Sequence, residues 1–337
     1  MMVPVILNPY SLTMLNPSQL RSLITAENCN AGLLAENVVR SAADFPAFSD
    51  ISRGIPILIP ADDTVFRFQS KDVFSLNLAK IHETIYGVGA ANYIGFKTSF
   101  QTSRFLSQFE IRQEFSADYQ NIAMQNQNAI AHVTGLREKF NHVGAFQTRN
   151  IPHFGHQRIM ERMLDFCDHL VVNPVLGPKK SGDATIECLN SVFGDFFTSR
   201  FGGRISFMPV FSNMYYAGPR EAVHHSILRR KMGFTHFSVG RDHAGAENFY
   251  DPKAAPKLLA DVKKQLGINV FCHMGAKYCQ VCDDFVIAGE CGHAEDEMRD
   301  VAGSQFRDAI VNGQFFEFAD KDMQKFVFQH VTNIIET

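Results

Sequence analysis

A chain of 337 residues with a net charge of −3 and 45% hydrophobic residues can bury a core without disulfide staples, and it has room for two domains. The slight acidity excludes a nucleic-acid binder that works by bulk electrostatics, so any anion site must be local. No early segment joins a basic flank to a long apolar run, so neither a signal peptide nor a membrane span is expected. Of the seven cysteines, four are bunched late, which suits a reducing, cytoplasmic compartment and a metal site more than a disulfide framework.

Residues 1–138 carry no legible catalytic motif. Asn16 followed by Pro17 predicts the start of a short helix with Leu20, Leu23 and Ile24 on its apolar side. Two short strands are expected at Ile55–Pro60 and Thr64–Phe68, with Ala61, Asp62 and Asp63 turning between them. Ala117–Lys139 reads as a polar helix or linker.

From about residue 142 the pattern alternates between strand and helix. Strands are expected at His142–Gln147, His169–Val175, Arg204–Phe211 and Thr235–Val239, with helices over Phe154–Asp168 and from Pro219. The unbroken apolar run Leu170, Val171, Val172 fits a parallel sheet covered on both faces. An α/β fold with a Rossmann-like, doubly wound parallel sheet follows, and in such sheets ligands gather at the carboxyl ends of the strands.

The stretch Gln147-Thr148-Arg149-Asn150-Ile151-Pro152-His153-Phe154-Gly155-His156 lies where the first of these strands turns into a helix. Unpaired N–H groups and the positive dipole end favour an anion at such a turn. A guanidinium and two imidazoles beside them describe a site for a polyphosphate or another charged oxyanion. A lone His-x-x-His is more often ordinary surface or core histidine, and the strand-to-helix setting is what raises it. Further on come the loop Pro174–Asp183 with Lys179 and Lys180, the segment Met214–Ala222, and Val239-Gly240-Arg241-Asp242-His243-Ala244-Gly245 at a strand end. In that last segment the glycines could simply permit a tight turn, with Arg241 and Asp242 paired on the surface.

Cys279-x-x-Cys282 is followed by Cys291-x-His293. Three thiolates and an imidazole at short spacing suit tetrahedral Zn2+, whereas redox use of one Cys-x-x-Cys leaves Cys291 and His293 unexplained. Cys29, Cys167, Cys188 and Cys272 read as buried small hydrophobes. Ser304 is the expected N-cap of the helix that carries Arg307. Met323, Phe326, Val327, Val331 and Ile334 predict a closing amphipathic helix.

Gln-Thr-Arg-Asn, then Gly218-Pro219-Arg220-Glu221-Ala222, then Gly-Arg-Asp-His resemble, in content and order, the motifs of the ATP sulfurylase (sulfate adenylyltransferase) family of His-x-Gly-His nucleotidyltransferases. The resemblance covers roughly residues 142–312. It implies an N-terminal, mainly β, PUA-like domain over 1–138, a catalytic nucleotidyltransferase domain over 139–270 and a small zinc-binding and helical region over 271–337. It implies a transferase that converts ATP and sulfate to adenosine 5'-phosphosulfate and pyrophosphate by direct in-line displacement, with Mg2+ accompanying the nucleotide.

By the same resemblance, Gln147, Arg149, Arg241 and the backbone at Ala244 would hold sulfate, and Thr148 and Asn150 would flank the reacting phosphate. His153 and His156 would donate to the β and γ phosphates, Gly240, Arg241, Asp242 and His243 would line the adenosine side, and Arg307 would help hold the phosphates. Cys279, Cys282, Cys291 and His293 would be the zinc ligands. Where the family has Arg, this chain has Tyr215, an apparent loss of one positive charge. That keeps two alternatives open, a relative acting on another oxyanion such as a phosphonate or sugar phosphate, and a non-catalytic nucleotide-binding relative. Partners are ATP and an oxyanion, neither nucleic acid nor membrane; the oligomeric state, a homo-oligomer included, stays open.

Overall fold

The computed structural model describes residues 15–33, 59–75, 77–87, 92–98, 101–106, 108–179, 181–197 and 200–336. Asn16 caps helix α1 (Pro17–Asn30): its side chain accepts the Gln19 N–H while the Gln19 side chain accepts the Asn16 N–H. The helix runs 14 residues, longer than the short one expected, with Leu23 and Ile24 buried and Leu20 half-buried.

Antiparallel strands follow, β1 (Ile59–Pro60), β2 (Phe66–Arg67) and β3 (Val73–Ser75), then helices α2 (Leu78–Tyr86) and α3 (Ile94–Thr98), then β4 (Arg104–Leu106) and β5 (Glu110–Ile111). The expected strand at Ile55–Pro60 lies outside the described residues except for Ile59–Pro60. The turn after it forms, with Asp62 accepting from the Thr64 and Phe66 N–H groups. The flanking strands do not pair with each other, however. β1 joins β4, and β2 joins β5.

The helix-or-linker stretch is a single helix, α4 (Ser116–Arg137), which buries Ile122, Ala129 and Val133. It packs onto a five-stranded sheet formed by β6 (Val143–Phe146), β7 (His169–Val172), β9 (Ile205–Phe207), β11 (His236–Val239) and β12 (Asn269–Cys272). All pairs are parallel and the spatial order is β12-β11-β6-β7-β9. The order reverses between β6 and β11, and a crevice opens at such a point beyond the carboxyl ends of the strands. Helices α5 (Phe154–Met163), α7 (Pro219–Met232) and α8 (Ala254–Leu266) make crossovers, and a short α6 (Ile186–Leu189) continues as a π-helix over Asn190–Phe197. Both faces are covered: Phe146, Leu170 and Val172 join one core cluster with Ile159 and Met163, while Val143, Ala145 and Val171 join another with Ile227 and Leu259.

Two expected strands are interrupted. Pro174 and Pro209 cannot donate to a ladder, so β7 stops at Val172 and β9 at Phe207, and the chain pairs again as β8 (Val175–Leu176) against β10 (Val210–Phe211). Helix α5 ends at Met163, before the expected Asp168, and Phe166 lies exposed beyond it.

Helix α1 is tied to β10 by buried polar groups. Asn28 Nδ2 donates to the Phe211 carbonyl (2.8 Å) and to Glu27 Oε2 (2.9 Å), and Asn126 exchanges hydrogen bonds with the Phe211 backbone. Burial pushes the Glu27 carboxyl up to about 7, against the pull of its bonds from Asn28 and Asn126. The folded state thus favours the neutral acid. That contribution is complete below the ordinary carboxyl range and is lost as the pH rises through 7. Denaturant unfolding from pH 4.5 to 8 is expected to show the wild type losing on the order of 2–3 kcal/mol relative to Glu27→Gln. Parallel pH profiles would show that Glu27 is not the cause.

The chain closes with an antiparallel sheet β14-β13-β15 (Asp284–Ile287, Ala276–Cys279, Met298–Arg299) and helices α9 (Gly303–Val311) and α10 (Lys321–His330). Met323 and Val327 are buried on α10 as expected, but Val331 and Ile334 lie past its end.

Candidate active site

The turn after β6 explains the His-x-Gly-His spacing. His153 is the N-cap of α5, and its Nδ1 accepts the Gly155 N–H at 3.1 Å. His156, three residues on, turns its Nδ1 back to the His153 N–H at 3.4 Å. Two imidazoles thereby do the work of a reciprocal capping box. Burial lowers His153 to about 2, with His156 adding to the effect, and lowers His156 to about 4. Both rings are therefore neutral at pH 7, and with each Nδ1 already accepting, each carries its proton on Nε2. Gly155 is required by this cap: a Cβ there would lie 2.8 Å from His153 Cε1 and 3.0 Å from its Nδ1. Gly155→Ala is expected to displace the His153 ring and lower turnover by about 10²-fold, with unchanged far-UV circular dichroism. Wild-type kinetics would show that the ring's position is immaterial.

Upstream, the Thr148 hydroxyl accepts the Asn150 N–H (3.0 Å), folding the loop on itself. Arg149 Nη1 lies 3.4 Å from Oδ2 of buried Asp183, and its guanidinium sits 5.6 Å from the centre of the Tyr216 ring. Asn150 Oδ1 accepts from Arg307 Nη1 at 2.6 Å, which brings α9 to the site. Gln147 Oε1 is buried with no hydrogen-bond partner among the described residues.

Asp183 is itself held by the closing segment of the chain. Its carbonyl accepts the Glu336 N–H (2.8 Å), and the Gly182 and Thr185 N–H groups donate to the carbonyls of Glu336 and Ile334. Lys179 is half-buried and donates to the Ala184 carbonyl (3.0 Å), so it braces this loop and does not line the cleft. Lys180 lies outside the described residues.

The Gly-Arg-Asp-His loop leaves the end of β11 with Asp242 and Ala244 at positive φ (49° and 55°). Gly245 accommodates it: a Cβ there would meet Asp242 Oδ1 at 2.0 Å. Arg241 Nη1 lies 3.4 Å from Asp300 Oδ1 at the surface, so the expected pairing with Asp242 is not the one seen. Behind the loop, His243 Nε2 and His225 Nδ1 are 3.1 Å apart.

Both loops open onto one cleft of about 690 Å3, between the ends of β6 and β11. Gln147, Thr148, Arg149, Asn150, His153 and His156 line it from one side, Gly240, Arg241, Asp242, His243 and Ala244 from the other, and Arg307 from α9. The structure thus brings together every non-metal site residue that the sequence singled out. It adds His273, whose Nδ1 accepts the Gly275 N–H (3.2 Å) and whose Nε2 is 3.1 Å from Ser238 Oγ. His273 follows β12 as Gln147 follows β6, and that position was the available signal.

Three expectations need correction. Tyr215 does not line the cleft. Its ring packs edge-on to His224 (5.9 Å) and faces a separate cavity beside Arg21, so the residue at this position removes no charge from the cleft. Ser304 is not the N-cap of α9. Ala302 is, and Gly303 comes so near Asn150 that a Cβ would stand 3.3 Å from its Cγ. Cys272 is exposed at the end of β12, whereas Cys29, Cys167 and Cys188 are buried as expected.

The donor atoms of Cys279, Cys282, Cys291 and His293 lie within 4.8 Å of one another, with His293 Nδ1 3.4 Å from Cys279 Sγ and 3.2 Å from Cys282 Sγ. Metal–sulfur and metal–nitrogen bonds of roughly 2.0–2.3 Å put tetrahedral ligand atoms about 3.5 Å apart. The cluster therefore fits a four-coordinate metal ion.

A family model described as ATP-sulfurylase matches residues 127–334. The chain belongs to the ATP-sulfurylase family. It is 32% identical to the sulfate adenylyltransferase of Pyrococcus abyssi over 270 residues, which cover 79% of this chain and 70% of that protein. With the sulfate adenylyltransferase of Hyperthermus butylicus the identity is 39% over 173 residues, 51% of this chain and 44% of that one. For that of Thermococcus onnurineus it is 29% over 261 residues, 77% and 68% of the two chains. The chain thus spans between under half and about seven tenths of these relatives of the ATP-sulfurylase family. Among the described residues no helix is long and apolar enough to cross a membrane.

Proposed function

We propose that the protein is a sulfate adenylyltransferase, joining ATP and sulfate into adenosine 5'-phosphosulfate with release of pyrophosphate. The observation that carries this reading is the meeting of Arg149, Arg241 and the two capped histidines in one cleft at the switch point of the sheet. Sulfate is a dianion at neutral pH and needs no base to deprotonate it. The barrier lies in bringing two anions together in line, so catalysis rests on positioning and on fixed positive charge.

In this scheme Gln147, Arg149, Arg241 and the backbone at Ala244 hold sulfate. The Gln147 oxygen without a partner suggests that its amide turns over to present N–H to the anion. Thr148 and Asn150 flank the α-phosphate. His153 and His156 donate from Nε2 to the β and γ phosphates, a role neutral rings can fill because both Nδ1 atoms are already engaged. Arg307, steered by Asn150, adds charge on the leaving side, and Gly240 to His243 line the adenosine.

Mg2+ would accompany the nucleotide through its phosphates more than through protein carboxylates; Asp183, one of the carboxylates lining the cleft, is already paired with Arg149. The Cys/His cluster is a structural zinc site, supported by three sulfurs and one imidazole at tetrahedral spacing. We keep the division into an N-terminal PUA-like part to residue 138, a catalytic part to 270 and a zinc-binding and helical part to 337. In that division α1 and α4 are the N-terminal elements that pack onto the catalytic sheet. Seven unpaired cysteines suit a cytoplasmic setting.

The test is pyrophosphate release from ATP across a panel of acceptors: sulfate, phosphate, a phosphonate and a sugar phosphate. Release with sulfate alone is expected. Release with another oxyanion and none with sulfate would reassign the substrate, and nucleotide binding without release on any acceptor would mark a non-catalytic relative.

A further inference from the structure

Two buried side chains and a half-buried one join the Gly-Pro-Arg-Glu-Ala and Gly-Arg-Asp-His segments. Glu221, in the first turn of α7, accepts the Tyr215 N–H on Oε1 and the Ala217 N–H on Oε2, both at 2.9 Å. One turn on, His225 sets its Nε2 3.4 Å from Glu221 Oε1, near it but without a formed hydrogen bond, and its Nδ1 3.1 Å from His243 Nε2. Glu221 and His225 are buried, whereas His243 lines the cleft.

Burial, reinforced by the charges of Arg229 and Arg149, holds His225 well below its ordinary value. Burial, with His225 and Arg229 adding, does the same for His243. Two neutral imidazoles facing each other at this distance share one proton between the facing nitrogens. Glu221 decides where that proton sits. Burial raises the Glu221 carboxyl, and two amide N–H bonds and the positive end of the helix dipole oppose that rise; in its carboxylate form Glu221 offers His225 only lone pairs. The His225 proton is then on Nε2, its Nδ1 is bare, and the shared proton belongs to His243 Nε2. The other ring nitrogen of His243, Nδ1, lies on the side of the ring away from His225 and is left bare, and His243 lines the cleft.

We propose that Glu221 and His225 are positioning residues that hold His243 as the Nε2–H tautomer, so that its Nδ1 accepts a hydrogen bond from a neutral donor of the nucleoside, a ribose hydroxyl or a base amine. The identity of the ligand rests on the nucleotide reading of the cleft; the tautomer does not. His243 then discriminates by hydrogen-bond polarity and meets no phosphate as a cation.

Long-range 1H–15N correlation spectra of histidine-labelled protein, with His243 assigned by substitution, read the tautomer directly. The expected result is a proton on Nε2 in the wild type and on Nδ1 in Glu221→Gln, whose amide can donate to His225 Nε2. A wild-type proton on Nδ1 overturns the proposal whatever the enzyme turns over. Should Glu221→Gln fail to fold, His225 carries the test, by calorimetric titration of ATP without an acceptor. His225→Asn, which keeps an oxygen acceptor near the place of Nδ1, should bind ATP within about twofold of wild type, and His225→Leu about tenfold more weakly. Equal losses in the two variants overturn the proposal. Repeating the titration with 2'-deoxy-ATP, 3'-deoxy-ATP and purine riboside triphosphate finds the donor: the analogue lacking it should be insensitive to His225→Leu. If all three remain as sensitive as ATP, no nucleoside donor meets His243 and the proposal falls. Absence of pyrophosphate release with sulfate would sink the sulfate reading and leave these binding and spectral results standing.

Discussion

Arg149→Ala is expected to lower pyrophosphate release by about 10³-fold or more, with a far-UV spectrum like that of the wild type. Arg149 lines the cleft with the two capping histidines, and it stands beside a buried carboxylate and over an aromatic ring. Both contacts fix its fork in place before substrate arrives, which is what makes such a donor effective. The fold should survive, because Lys179 is close enough to Asp183 to feel its charge and so offsets part of the loss. Arg149→Lys should recover only a small part of the rate, since a point charge cannot reproduce two parallel N–H bonds to an oxyanion. The double variant Arg149→Ala/Asp183→Ala separates two explanations. If the defect came from leaving Asp183 unpaired, the second change would restore activity; if it came from charge lost at the anion, it would not. We expect no restoration, and near-normal turnover in Arg149→Ala would remove the functional assignment.

Chelation should have the largest structural effect. It is expected to strip about one zinc per chain and to raise hydrogen exchange in β13 and β14 by about 10³-fold or more. The small sheet β14-β13-β15 has a core of its own that amounts to Phe285, Val301 and Phe318 with a few half-buried neighbours. So little apolar surface of its own leaves three short strands leaning on α5 and, on the proposed reading, on a metal held by the four ligands. Exchange in β6, β7 and β11, buried on both faces, should stay as slow as before. Phe285 lies 6.3 Å from the His153 ring, so loss of the metal should also weaken nucleotide binding. Elemental analysis finding no metal, or unchanged exchange after chelation, would dismiss the site.

The sequence disclosed the central sheet well, because strands buried on both faces are written as unbroken apolar runs such as Leu170–Val172. Its interruptions follow from Pro174 and Pro209, each readable in hindsight as the loss of a donor. Helix α7 is different. It buries Glu221, His224, His225 and Arg229 among apolar residues, so no periodicity betrays which face is covered. The site was legible wherever chemistry sits in a compact run, as at Gln147–His156 and Gly240–Ala244. His273 and Asp183 were missed because each is a single residue whose importance comes from where the strand before it ends or from what later folds against it. Tyr215 misled for a related reason, since a side chain's direction is set by backbone that the sequence does not display.

The closing segment Ile334–Glu336 has no motif of its own, yet its backbone grips Gly182, Asp183 and Thr185. It works as a splint: a segment much further along the chain keeps rigid the loop against which a guanidinium leans. Changes at residues that look dispensable by any reading of side-chain chemistry should therefore be felt at the anion, transmitted through three backbone hydrogen bonds with no substrate contact at all.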